Sequence, residues 1–216
     1  MNLYFNGCSY TTGFELDDCE SDRFSTLVSN HFKADHFNNA VAGSSNDQIV
    51  LRSLEFLEND SCDYAIIMLT HCERMTLNKN IFTNRNPSFY EEYYNDEVGS
   101  LNFYKNRFIL EQEFEKKNIP LLLLQYYDVL GDNIYRRKCK GKIQSVARPS
   151  HSISAVTTAC SHWYSQKSTN EKTLVGTRMN RLYYYNRHSK KTLCHFNRYG
   201  HKRVADYIIG ELTSTI

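Results

Sequence analysis

The chain has 216 residues and a net charge of +2, and 41% of it is hydrophobic; that suffices for one substantial core, and nothing in it calls for a second domain. No run approaches the roughly 18 apolar residues of a membrane span, and the N-terminus lacks the basic-then-apolar pattern of a secretory signal. The seven cysteines are odd in number and scattered, with no Cys-x-x-Cys pair, which leaves a disulfide framework or a zinc site without support. The expectation is a single domain over residues 1–216 in the cytoplasm, with free thiols and no membrane partner. Charge is divided unevenly, with 10 Lys/Arg against 20 Asp/Glu in residues 1–130 and 16 against 4 in residues 131–216. Such a split suits either a polyanion-binding face or two parts of one fold that attract each other.

In chain order, "MNLYF" (1–5) is a short apolar run that ends at Asn-Gly, as a strand does when it enters a tight turn. "SDRFSTLVSNHF" (21–32) has helical spacing and "ADHFNNAVAG" (34–43) is extended. "SSNDQIVLRSLEFLEN" (44–59) places capping residues, Asn46 and Asp47 among them, before Ile49, Val50, Leu54 and Leu57 on one face of a second helix. "CDYAIIMLT" (62–70) is a continuous apolar run, the pattern of a strand buried on both faces. Residues 71–100 are polar and aperiodic, a long loop of the kind that rims sites. "LNFYKNRFILEQEFEKKN" (101–118) predicts a helix, "IPLLLLQYY" (119–127) a buried strand and "GHKRVADYIIGEL" (200–212) a closing helix. Between them the periodicity fails, and residues 131–191 are predicted as a basic insertion or lid. The alternation of strand and helix implies an α/β fold with a parallel sheet covered on both faces.

In such a sheet, reactive groups gather in loops beyond the carboxyl ends of the strands. Three of these loops, "GCSYTTG" (7–13), "NNAVAGSSN" (38–46) and "HFNRYGH" (195–201), together resemble the sequence blocks of the SGNH (GDSL-like) hydrolases. That resemblance implies a three-layer flavodoxin-like fold and an esterase or acyl-hydrolase activity on small acyl esters, such as O-acetyl groups of a glycan, without a cofactor. It makes Ser9 the nucleophile, His195 the general base, Gly43 an oxyanion-hole donor beside the Ser9 N–H, and His201 a helix-start residue. Cys8 stands where the family has aspartate, a variant similar to those in phage-encoded members, for which association with a virion is also expected.

The chemistry justifies these residue types. An alcohol attacks an ester only when an imidazole accepts its proton, and the tetrahedral oxyanion needs preorganised donors. Two departures stand out. The aspartate expected two or three residues before the histidine is replaced by Leu193 and Thr192, and the Gly-x-Asn-Asp block is replaced by "LTHCER", in which Thr70 or His71 would have to supply the missing donor. A scaffold without catalysis that binds a glycan or nucleic acid is therefore the alternative, because "RRKCKGK" (136–142) and "RMNRLYYYNRHSKK" (178–191) combine cations with stackable aromatics. The set Cys139, Cys160, His162, Cys194 and His195 matches no metal-ligand spacing.

Overall fold

The apolar N-terminal run forms β1 (Asn2–Asn6), second in a five-stranded sheet of the computed structural model, which describes residues 1–72, 74–77, 80–82, 94–125, 134–139, 143–145, 183–185, 192–196 and 198–215. Short helices α1 (Ser9–Thr12) and α2 (Cys19–Asp22) precede α3 (Phe24–Phe32) and the edge strand β2 (Asp35–Asn38). Then come α4 (Asn46–Asn59), the central strand β3 (Tyr64–Leu69), a hairpin of β4 (Met75–Leu77) and β5 (Asn80–Phe82), and the long helix α5 (Asp96–Lys116). The chain continues through β6 (Leu121–Gln125), α6 (Ile134–Lys138), β7 (Ile143–Ser145), the antiparallel pair β8 (Tyr183–Tyr185) and β9 (Thr192–Phe196), and α7 (Arg198–Thr213).

The sheet order is β2-β1-β3-β6-β7 and every neighbouring pair is parallel. This is the flavodoxin-like order once the sheet strands are counted along the chain. Side chains alternate across the sheet and so divide the core in two. Leu3, Phe5, Ile66 and Met68 face α3 and α7, where they meet Phe24 and Ile208. Tyr4, Ala65, Ile67 and Leu69 face α4 and α5, against Phe56 and Phe114. Every residue of β3 is buried, which explains its unbroken apolar run.

Several boundaries differ from the sequence expectations for identifiable reasons. The helix expected over 21–32 is two helices, because Arg23 takes an extended conformation (φ −70°, ψ 146°) between them. The helix expected from 101 begins at Asp96, since the Asn95 side chain accepts a hydrogen bond from the Val98 N–H at 2.8 Å and caps it. The loop 71–100 contains the β4–β5 hairpin. Within the predicted insertion, Ile143–Ser145 pairs with β6 as the outer strand of the main sheet. Most of the rest of 131–191, including residues 140–142, 178–182 and 186–191 of the two basic aromatic segments, lies outside the described residues. Among the described residues no helix is long and apolar enough to cross a membrane.

Candidate active site

The turn that follows β1 is built from within. Asn6 is fully buried; its Oδ1 accepts the Gly7 N–H at 2.7 Å, while its Nδ2 lies 2.9 Å from the Ile49 carbonyl and 2.9 Å from Ser53 Oγ on α4. Gly7 itself is dictated by space, because a Cβ there would sit 2.1 Å from Thr11 Oγ1 and 3.0 Å from the Met68 carbonyl of β3. With the backbone held this close, α1 starts at Ser9, and the N–H groups of Thr11 and Thr12 both reach the Cys8 carbonyl. Gly13 ends α1 in the left-handed region (φ 78°).

Ser9 is 4% exposed, and its Oγ lies 2.7 Å from Nε2 of His195, carried by β9 from the other end of the chain. The other ring nitrogen of His195, Nδ1, lies 2.8 Å from Oε2 of Glu15, and the same oxygen accepts the His195 backbone N–H at 3.2 Å. A carboxylate only accepts, so Nδ1 carries the proton and Nε2 is left as the acceptor for the Ser9 hydroxyl. Glu15 makes this contact from a left-handed backbone (φ 73°), a conformation that costs a non-glycine residue energy and gathers at functional sites. The imidazole is flanked by the rings of Tyr10 (centroids 4.9 Å apart) and Phe14 (5.2 Å). Burial is the largest influence on His195 and lowers its pKa; Glu15 opposes that shift, and the Arg74 charge adds to it. The net result is a histidine that stays neutral below its ordinary range, as a proton acceptor requires.

The structure thus brings Ser9 and His195 together and adds an acid that the sequence pattern did not locate. The expected position before His195 has none, and Glu15 occupies the place from six residues beyond Ser9. The stretch "FELDDCESD" (14–22) contains five carboxylates, so only the fold could single one out.

Gly43 has φ 84° in the turn closed by the Ser44 N–H and the Val41 carbonyl, and the Val41 N–H bonds to the Gly7 carbonyl at 3.3 Å. That bond docks the second loop beside the first. Thr70 follows β3, and Asn46 holds its backbone at both polar groups, accepting the Thr70 N–H at 2.8 Å and donating to its carbonyl at 3.3 Å. The Thr70 N–H is therefore spoken for, and its hydroxyl receives a hydrogen bond from Arg74 at 3.4 Å. The His71 ring is desolvated, which with the nearby Arg74 charge pushes its pKa down to about 3, so it is neutral near pH 7. Neither Asn46 nor Asp47 caps α4; Ser45 Oγ does, accepting the Gln48 N–H at 3.3 Å. Asp47 instead receives Thr76 N–H, Asn102, Asn106 and Lys105. His201 lies in the first turns of α7, fully buried, and caps a different helix: its Nδ1 accepts the Phe24 N–H at the start of α3.

No protein-family model matches the sequence, and no curated protein does. Among solved structures, the fold is similar to that of the psychrotrophic esterase EstA from a Pseudoalteromonas species (11% identity, 99% of this chain and 97% of that one, TM-score 0.53). A protein assigned to the G-D-S-L lipolytic family from Desulfitobacterium hafniense is similar over 97% of this chain and 98% of its own, at 10% identity and TM-score 0.52. The chain has the SGNH-hydrolase fold. An acetyl xylan esterase, AlAXEase, shares it at 14% identity over 98% and 99% of the two chains, with TM-score 0.51. On this SGNH scaffold Ser9, Gly43 and Thr70 all follow carboxyl ends of adjacent strands, where a parallel sheet places its ligands.

Proposed function

We propose that this chain is a serine ester hydrolase with Ser9 as nucleophile, His195 as general base and Glu15 as the group that orients the imidazole. One observation carries the reading: a single imidazole bridges a buried serine hydroxyl at 2.7 Å and a carboxylate at 2.8 Å. In the first step His195 Nε2 takes the Ser9 proton as Oγ bonds to the ester carbonyl carbon. The tetrahedral intermediate then expels the alcohol, which receives that proton from Nε2, and leaves an acyl-Ser9. A water molecule, deprotonated by the same nitrogen, attacks the acyl group and releases the carboxylic acid and free Ser9. The Ser9 N–H and the Gly43 N–H are the backbone donors assigned to the oxyanion.

The substrate class proposed is a small acyl ester, with O-acetylated sugars the first to test, a choice supported by the acetyl xylan esterase among the fold's neighbours. The test is labelling by a fluorophosphonate probe. Wild-type protein is expected to label, and Ser9→Ala and His195→Ala to lose labelling while remaining folded. A folded wild type that stays unlabelled would overturn the reading and favour a binding protein on this scaffold.

A further inference from the structure

The resemblance to the SGNH blocks implies a side-chain oxyanion donor in a Gly-x-Asn-Asp block, and this chain has "LTHCER" after β3 instead. Asn6 of β1 pairs with Ile67 of β3. Ser9 and Thr70 each lie three residues past that pair in the chain, beyond the carboxyl ends of adjacent strands. The two segments touch, since Gly7 packs against the Met68 carbonyl. Asn46 fixes the Thr70 backbone from both sides, so the hydroxyl is carried on a rigid mount. Arg74 closes the turn, its N–H bonding to the His71 carbonyl at 3.1 Å and its Nη1 donating to Thr70 Oγ1 at 3.4 Å. No carboxylate pairs with Arg74 among the described residues, and its charge reaches both His71 and His195.

From this arrangement we infer that the Thr70 hydroxyl and Arg74 act as a couple that replaces the missing amide donor. Thr70 Oγ accepts from the guanidinium and turns its own proton to the oxyanion, and Arg74 positions and polarises that hydroxyl. A hydroxyl whose oxygen accepts from a cation is a stronger donor, and a positive charge in a water-poor site favours the anionic intermediate over the neutral ester. Thr70 is then a catalytic residue and Arg74 a positioning residue. The inference rests on the serine-hydrolase reading above.

The experiment compares the wild type, Thr70→Val, Arg74→Met, Arg74→Lys and the double variant Thr70→Val/Arg74→Met. It measures the fluorophosphonate labelling rate, and kcat and KM on a chromogenic acetate ester. Each single loss is expected to lower kcat by about 100-fold with KM little changed, as removal of an oxyanion donor does. The double variant is expected to lose no more than about threefold beyond the worse single, because coupled residues are non-additive. Arg74→Lys, which keeps the charge, is expected to regain at least about tenfold over Arg74→Met. Arg74→Met with wild-type kcat, an effect confined to KM, or a double variant equal to the product of the singles would overturn the couple. If Arg74→Met fails to fold, Arg74→Gln decides, with a loss of about tenfold or more expected and wild-type kcat overturning the proposal. An unlabelled wild type removes both readings; a labelled wild type with unaffected Arg74 variants removes this one alone.

Discussion

On the serine-hydrolase reading, Glu15 sets the tautomer of His195 through its 2.8 Å contact with Nδ1. A glutamine there presents an amide that can donate to Nδ1, which stabilises the tautomer with the proton on Nε2, the wrong one for accepting from Ser9. Glu15→Gln is therefore expected to lower kcat by about 10⁴, the size of the corresponding change in a serine protease. The pH profile adds a second readout. Burial holds the His195 pKa below its ordinary value and Glu15 partly restores it. In the wild type, then, the acid limb of kcat/KM should fall below the usual histidine range, and in Glu15→Gln it should move lower still. A Glu15→Gln limb shifted to higher pH would contradict this assignment. Glu15 could not be picked from the sequence because its contact with His195 depends on two accidents of geometry: a left-handed backbone at Glu15 and the approach of a strand 180 residues away.

At the scale of elements, Asp47 binds three of them together. Its carboxylate receives the Thr76 N–H of β4 at 3.0 Å and, from α5, Asn106 at 2.9 Å, Lys105 at 3.3 Å and Asn102 at 3.3 Å. Burial alone would raise its pKa, yet these donors carry it below the ordinary carboxylate value. The stability they confer is present above that ordinary value and is lost as pH falls through the lowered one. Asp47→Ala strands several donors and is expected to destabilise the fold by about 3 kcal/mol in urea unfolding at pH 7. At the sequence level Asp47 is one more polar residue at a helix start, and its neighbours from 76 to 106 become visible only when α5 packs on α4.

The whole molecule carries a titration of its own. His201 is sealed between α7 and α3, and its burial pushes the pKa down to about 3, as burial does for His71. Unfolded, each binds a proton below about pH 6.5; folded, neither does until about pH 3. Stability therefore falls as pH drops through that window, by up to about 1.4 kcal/mol per pH unit for each group. His201→Asn keeps an acceptor for Phe24 without titrating, and is expected to flatten the decline of unfolding free energy between pH 6.5 and 5; an unchanged slope would rule His201 out as its source. What the sequence determined by itself is the layered architecture, since runs such as 62–70 and the spacing of 44–59 dictate buried strands and half-buried helices; the strand-end turn marks Ser9, and the resemblance to the SGNH blocks marks Gly43 and His195. The tertiary structure alone decided that Glu15, Asn46 and Arg74 serve the same corner, because a parallel sheet brings distant loops to one end, and that convergence leaves no periodic trace in the chain.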